Sequence, residues 1–253
     1  MNINYYKEYA QLEREHWWFK VRGKIIIKLI ENCIESAENK QLKILNIGAA
    51  TGKTSELLSK FGSVISLEYD QDCCDYAEQQ FNMTIINGSI LELPFKDEEF
   101  DLICAFDVIE HVEDDLLGIR EMKRVCKNEG LMVLTVPAYM FLWSHHDEVN
   151  QHYRRYTLKN LKNLGKKAGL HPVRSTFYNT LLFIPIALFR LLSKMIPEKL
   201  IRKGAGSDAT LHHTNSLISR ILYQIFNLEL SLIKLFNLPF GVSIFLSLSK
   251  KKR

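Results

Sequence analysis

The apolar run Lys43-Ile44-Leu45-Asn46-Ile47 ends in the small-residue bend Gly48-Ala49-Ala50-Thr51-Gly52, and Ser55 to Phe61 then carries a helical pattern. A buried strand feeding a glycine bend and a helix lets backbone approach a ligand closely and presents the helix's unpaired N–H groups to it. A nucleotide-like ligand suits such a bend. Glu68 ends a second strand, Val64 to Glu68, and is placed to accept both hydroxyls of a ribose.

The same texture continues along the chain. Asp72 to Phe81 reads as a helix, Thr84 to Ile86 as a short strand, Phe100 to Phe106 as a fourth strand, Asp114 to Val125 as a helix and Leu131 to Val136 as a strand stopped by Pro137. Strand alternating with helix predicts a parallel, doubly wound sheet whose ligand sits at the carboxyl ends of its strands. After Pro137 the alternation fails. Leu158 to Ala168 reads as helical, His171 to Tyr178 as a strand, 180–235 as an apolar helical insertion and Gly241 to Leu248 as a last strand.

The expected fold is therefore α/β, Rossmann-like, with a mostly parallel seven-stranded sheet, an antiparallel last strand and a helical insertion before it. One domain over 1–253 is expected: an N-terminal helical lid over 1–39, a core over 40–179, the apolar and basic insertion over 180–239, and the last strand with a basic tail over 240–253. At 253 residues and 47% apolar content the chain can bury a core.

Charge is divided unevenly. Residues 1–153 carry net −11 and residues 154–253 net +15. A basic, apolar half favours anionic partners: a lipid surface, a phosphorylated substrate or nucleic acid. Nucleic acid ranks lowest, because the basic residues interleave with long aliphatic runs rather than with polar and stacking groups. Five cysteines without metal-type spacing predict a reducing, cytoplasmic setting. Met1 to Gln11 lacks the apolar segment of a secretion signal, and no window reads as a spanning helix, so any membrane contact would be peripheral, at the inner face.

Two nucleotide-binding alternatives share the bend. Gly48 to Thr54 nearly spells a phosphate-binding loop but holds three residues between its glycines where four are required. Ala50 and Gly52 do not reproduce the dinucleotide fingerprint either.

Taken in order, Leu45 to Gly52, Glu68, Gly88-Ser89-Ile90 with Leu93-Pro94-Phe95, Phe100 to Ile103, Val108-Ile109-Glu110-His111-Val112, Glu121 to Val125 and Gly130 to Pro137 resemble a class I S-adenosylmethionine-dependent methyltransferase of the small-molecule type. The resemblance spans about residues 40–140. It implies S-adenosyl-L-methionine as cofactor, bound by Asn46, Gly48, Ala49, Ala50, Gly52, Glu68, Tyr69, Ser89, Ile90, Phe106 and Asp107. The family often has Asp where Asn46 stands, Gly where Ala50 stands and Asp where Ser89 stands. These departures leave a non-catalytic cofactor-binding protein as an alternative.

The flanks resemble a bacterial methyltransferase subgroup met near glycan and lipid assembly: His16-Trp17-Trp18-Phe19 with Arg22, Phe141 to Asp147, His152-Tyr153-Arg154-Arg155-Tyr156 and Leu238 to Ser243. A small-molecule, glycan-related or lipid-linked acceptor follows as the expectation, methylated on oxygen or nitrogen. His146 or His152 is the candidate base, with Asp147 orienting the ring. His111 is a candidate contact to the methionyl end or the acceptor, while Glu110 could cap a helix or pair with Arg124.

Trp143, His145, Asp147, Arg154 and Arg155 are candidate acceptor contacts; planar guanidinium groups suit a phosphate or carboxylate, though both arginines could instead pair with the acidic half. No metal is expected from His145, His146, Asp147 and His152, since adjacent side chains diverge. The Trp17-Trp18-Phe19 cluster could be a lid or simply pack on the sheet edge. Leu181 to Phe189, followed by Arg190, Lys194, Lys199, Arg202 and Lys203, could lie on a membrane, line a lipid tunnel or cap the domain.

Overall fold

The computed structural model describes residues 3–34, 41–193 and 216–252. Seven strands form one sheet in the order β3-β2-β1-β4-β5-β7-β6. They are β1 (Leu42–Ile47), β2 (Gly62–Glu68), β3 (Ile86–Asn87), β4 (Phe100–Phe106), β5 (Cys126–Pro137), β6 (His171–Tyr178) and β7 (Ser243–Ser249). The first five run parallel to one another, and β7 runs antiparallel between β5 and β6. Strand order reverses at β1 and β4, which opens a crevice at their carboxyl ends.

Two apolar layers follow from the alternation of side chains along each strand. Ile44, Leu102, Cys104, Val133 and Phe245 pack on one face under α2 (Trp17–Ile34) and α9 (Leu217–Leu235). Leu45, Ile47, Ile103, Met132 and Leu246 pack on the other under α5 (Asp115–Val125) and α7 (Leu158–Lys167). Burial on both faces explains why β4 and β5 read as continuous apolar runs.

The remaining helices are α1 (Ile3–Glu15), α3 (Lys53–Leu58), α4 (Gln71–Phe81), α6 (His145–Val149) and α8 (Phe183–Ser193). Asp70, Asp114, Thr157 and Ser216 each cap a helix by accepting a backbone N–H from three residues on.

The N-terminal segment expected to be helical over 1–39 forms two helices, α1 and α2, in its described part. His16 interrupts it because its ring Nδ1 accepts the Trp18 N–H at 3.3 Å, a side-chain cap that starts α2 anew. The fifth strand begins at Cys126, not Leu131, since Cys126 pairs with Phe100 across a register shift. The helical insertion comprises α8 and α9. Residues 35–39, Lys194, Lys199, Arg202, Lys203 and Arg253 lie outside the described residues. Glu229 of α9 staples the insertion to the core: its buried carboxylate accepts the Asn179 and Leu181 N–H groups, each at 2.7 Å.

Trp17 meets Phe226 of α9 edge-on at 6.4 Å, and Trp18 lies against the same apolar layer. Both pack in the manner of a core helix. No described helix is long and apolar enough to cross a membrane.

Candidate active site

The bend after β1 is held in a left-handed course, with φ of 69° at Gly48, 47° at Ala50 and 86° at Gly52. A Cβ on Gly48 would lie 2.4 Å from Val108, and one on Gly52 would lie 2.2 Å from the Met83 sulfur. Ala50 adopts a conformation in which an L side chain is strained. Glu68 holds it there: Oε2 accepts the Ala50 N–H at 2.9 Å, while Oε1 accepts those of Tyr69 and Asp70 at 2.8 and 3.2 Å. A half-buried carboxylate is thereby fixed beside the bend.

Asn46 is fully buried beneath the bend, and its amide nitrogen donates to Thr54 and Ser55, each at 2.8 Å. Its Oδ1 has no hydrogen-bond partner among the described residues. Tyr69 is 78% exposed next to Glu68, while Ile90 is buried beyond Ser89, whose hydroxyl accepts the Leu91 N–H. Phe106 and Asp107 end β4. Asp107 pairs with Arg22 of α2 at 2.6 Å and accepts a hydrogen bond from Thr135 at 3.2 Å. All eleven cofactor candidates thus lie at or just beyond the carboxyl ends of β1 to β4. Lys53, the would-be phosphate ligand, pairs instead with Glu56 at 2.5 Å.

The donor set fits an adenosyl cofactor. A fixed carboxylate suits a vicinal diol, an exposed ring and an apolar side chain suit the two sides of a base, and a buried unpaired carbonyl suits a cationic donor.

Helix α1 adds contacts that sequence reading missed. Arg14 donates to the Thr51 hydroxyl at 2.9 Å and to its carbonyl at 3.1 Å, and its guanidinium stacks 3.7 Å over the Phe81 ring. Thr51 donates to Glu13 at 2.6 Å, and Tyr6 donates to Asp70 at 2.8 Å. Burial pushes the Glu13 carboxyl up to about 7, against the smaller opposing effect of the Thr51 hydrogen bond. Polar residues at helical spacing were the only signal for these contacts.

A second group gathers beyond β4 and β5. The His111 and His152 rings meet edge-on at 4.5 Å, and His146 lies 6.0 Å from His152. His152 Nδ1 lies 2.8 Å from Asp147, whose carboxylate also accepts Arg155 Nε at 2.7 Å, Arg155 Nη2 at 2.9 Å and the Ser144 N–H at 2.8 Å. Burial alone would raise Asp147, but His152 and Arg155 hold it well below the usual carboxylate range. Desolvation by the surrounding protein, and next the neighbouring His152, hold His111 down at about 4 although the residue reaches solvent.

Both arginines take the alternative of pairing with the acidic half, and the expectation for Glu110 changes. Arg155 is buried and engaged by Asp147, so both residues brace the site from within rather than facing an acceptor. Arg154 pairs with Asp115 at 2.9 Å and donates to the Glu113 carbonyl. Glu110 neither caps a helix nor meets Arg124, which pairs with Glu121 and Asp97. Instead Glu110 is wholly buried, neither carboxylate oxygen has a hydrogen-bond partner among the described residues, and burial, then Asp107, push it well above the usual carboxylate range. Trp143 and His145 flank the start of α6, where His145 lies 3.4 Å from Glu148.

Residues 45–134 match the family model described as "Methyltransferase domain". Over 128 residues the chain is 25% identical to a probable S-adenosylmethionine-dependent methyltransferase of Mycobacterium tuberculosis, covering 50% of this chain and 44% of that protein. It is 28% identical over 102 residues to a demethylmenaquinone methyltransferase of Staphylococcus aureus, covering 37% and 42%. The chain thus spans less than half the length of these curated relatives. A solved SAM dependent methyltransferase from Aquifex aeolicus superposes with a TM-score of 0.51 at 14% identity, covering 70% of this chain and 93% of that one. Residues 45–134 are thus similar to a methyltransferase domain, and β6 with the antiparallel β7 extends the sheet beyond the matched residues.

Proposed function

We propose that the protein transfers a methyl group from S-adenosyl-L-methionine to an oxygen or nitrogen of a small-molecule, glycan-related or lipid-linked acceptor. The observation that carries the reading is the Glu68 carboxylate bonded to the Ala50 N–H, which couples a diol acceptor to the glycine bend.

The cofactor supplies an already activated methyl group, so the protein's contribution is alignment in a dry site. Asn46, Gly48, Ala49, Ala50 and Gly52 hold the backbone side of the pocket, Glu68 and Tyr69 the ribose end, Ser89 and Ile90 the base, and Phe106 and Asp107 the methionyl end. His111, His146 and His152 form the group that meets the acceptor's nucleophilic atom, with Trp143 and His145 at its edge and Arg154 at its rim. Asp147 and Arg155 set the direction of His152 from below.

A lipid-linked acceptor is favoured by the apolar surface around that end. Tyr139 stacks on Phe141 at 5.4 Å and on Phe177 at 5.6 Å, and Phe183 meets Phe240 at 5.4 Å. Ile184, Leu188, Phe189 and Leu192 of α8 and Leu217, Ile218 and Ile221 of α9 are further apolar side chains exposed to solvent. Together with the +15 charge of residues 154–253, it suits an anionic membrane as the partner that presents such an acceptor. The S. aureus relative's name, demethylmenaquinone methyltransferase, agrees in kind with an apolar acceptor.

The test is transfer of an isotopically labelled methyl group to fractionated lipid, glycan and quinone extracts, read by mass spectrometry. Label is expected in one lipid-extractable product. Cofactor binding with no labelled product in any fraction would instead support a cofactor-binding protein without turnover.

A further inference from the structure

Glu110, His111 and His152 each offer a ligand atom, and these atoms all lie within 4.8 Å of one another. We infer that they form a binding site for one divalent first-row transition ion, such as Zn2+ or Fe2+. Two imidazoles and a carboxylate are a donor set suited to such ions, with coordination positions left for water or substrate.

Two independent observations point to a cation. Glu110 is fully buried, yet neither of its oxygens has a hydrogen-bond partner among the described residues. A buried carboxylate left without partners is costly unless a proton or a cation compensates it. His152, moreover, is already oriented from behind: Asp147 engages its Nδ1 at 2.8 Å, leaving Nε2 for an ion. Histidine ligands of metal ions are commonly held by a carboxylate or a backbone carbonyl in this way.

Arg155 and the Ser144 N–H in turn fix Asp147, so the support extends two residues deep. Ligands at about 2.1 Å from an ion stand roughly 3–3.5 Å apart, so the cluster must close by about an ångström. His111, the exposed member, has room for that rotation.

The site joins β4's end to the α6–α7 segment through the Tyr153 N–H, which donates to the Glu110 carbonyl at 2.8 Å. Its open side faces the acceptor end. There an ion would take the acceptor's oxygen and lower the proton affinity of a bound hydroxyl, a role that rests on the methyl-transfer reading. Metal binding itself does not depend on that reading.

The experiment is titration of the full-length, chelator-treated protein with Co2+, a coloured stand-in for Zn2+, followed by visible absorption and competed with Zn2+. Elemental analysis of untreated protein and S-adenosylhomocysteine calorimetry are run on the same preparation. One equivalent of Co2+ is expected to bind and be displaced by Zn2+, with affinity at least about tenfold weaker in Glu110→Gln and His152→Gln and about 10–100-fold weaker in Asp147→Asn. Circular dichroism checks each fold, and His111→Gln at the exposed position replaces any variant that does not fold.

Wild type that binds S-adenosylhomocysteine but no Co2+ and carries no metal would overturn the site alone. Co2+ binding unchanged in Glu110→Gln and His152→Gln would overturn it too, by placing the ion elsewhere. Co2+ binding sensitive to both substitutions, with no S-adenosylhomocysteine binding, would uphold the site and defeat the cofactor reading.

Discussion

Glu13 couples the N-terminal helix to the bend through a titratable contact. Its carboxyl is raised by burial from 4.5 to about 7, so between these values the folded chain binds more protons than the unfolded one. Stability therefore falls as pH rises across that window, by about 3 kcal/mol on the scale of 1.36 kcal/mol per pKa unit. Urea melts of wild type and Glu13→Gln at intervals from pH 4.5 to 7.5 should show this slope diminished in the variant; parallel slopes would contradict the assignment. None of this was legible in the sequence, where Glu13 is one acidic residue in a polar helix and its partner Thr51 lies 38 positions away. Glu68 was legible because a carboxylate at a strand's end has a fixed relation to the preceding bend. Glu110 was only half legible: it lies in the Val108 to Val112 segment that carries the resemblance, but its lack of hydrogen-bond partners among the described residues is a property of packing.

Among the elements, β4 and β6 were read with the bounds they have: Phe100–Phe106 is an apolar run buried along nearly its whole length, whereas His171–Tyr178 is an edge strand in which only Thr176 to Tyr178 are buried. The break between α1 and α2 was missed because a histidine serving as a side-chain cap is not a composition signal. Helix α8 was read as apolar, but which of its faces meets the core depends on partners distant in sequence. Leu188, Phe189 and Leu192 point outward, and Arg190 is buried against the Leu142 carbonyl. Leu188→Asp combined with Leu192→Asp should reduce co-sedimentation with anionic vesicles severalfold while changing stability by no more than about 0.5 kcal/mol per site. Equal sedimentation of variant and wild type would remove the membrane surface from the proposal.

At the scale of the whole molecule, the sheet order sets the ligand crevice between β1 and β4, and the antiparallel β7 carries the chain back between β5 and β6 after the helical insertion. The acidic first part holds the cofactor candidates, and the basic second part supplies α8, α9 and most of the exposed apolar surface. This division was visible from charge alone. How the parts join was not, because Glu229, Arg155 and Asp147 act through contacts that only the folded chain makes.

The proposed adenosyl pocket unites these scales, and calorimetric titration of wild type and Glu68→Ala with S-adenosylhomocysteine tests it. Wild type should bind one equivalent, and the variant about 100-fold more weakly, because the bend loses its anchor and the ribose its acceptor. Equal affinity in the two proteins, or no binding to a folded wild type, would contradict the account.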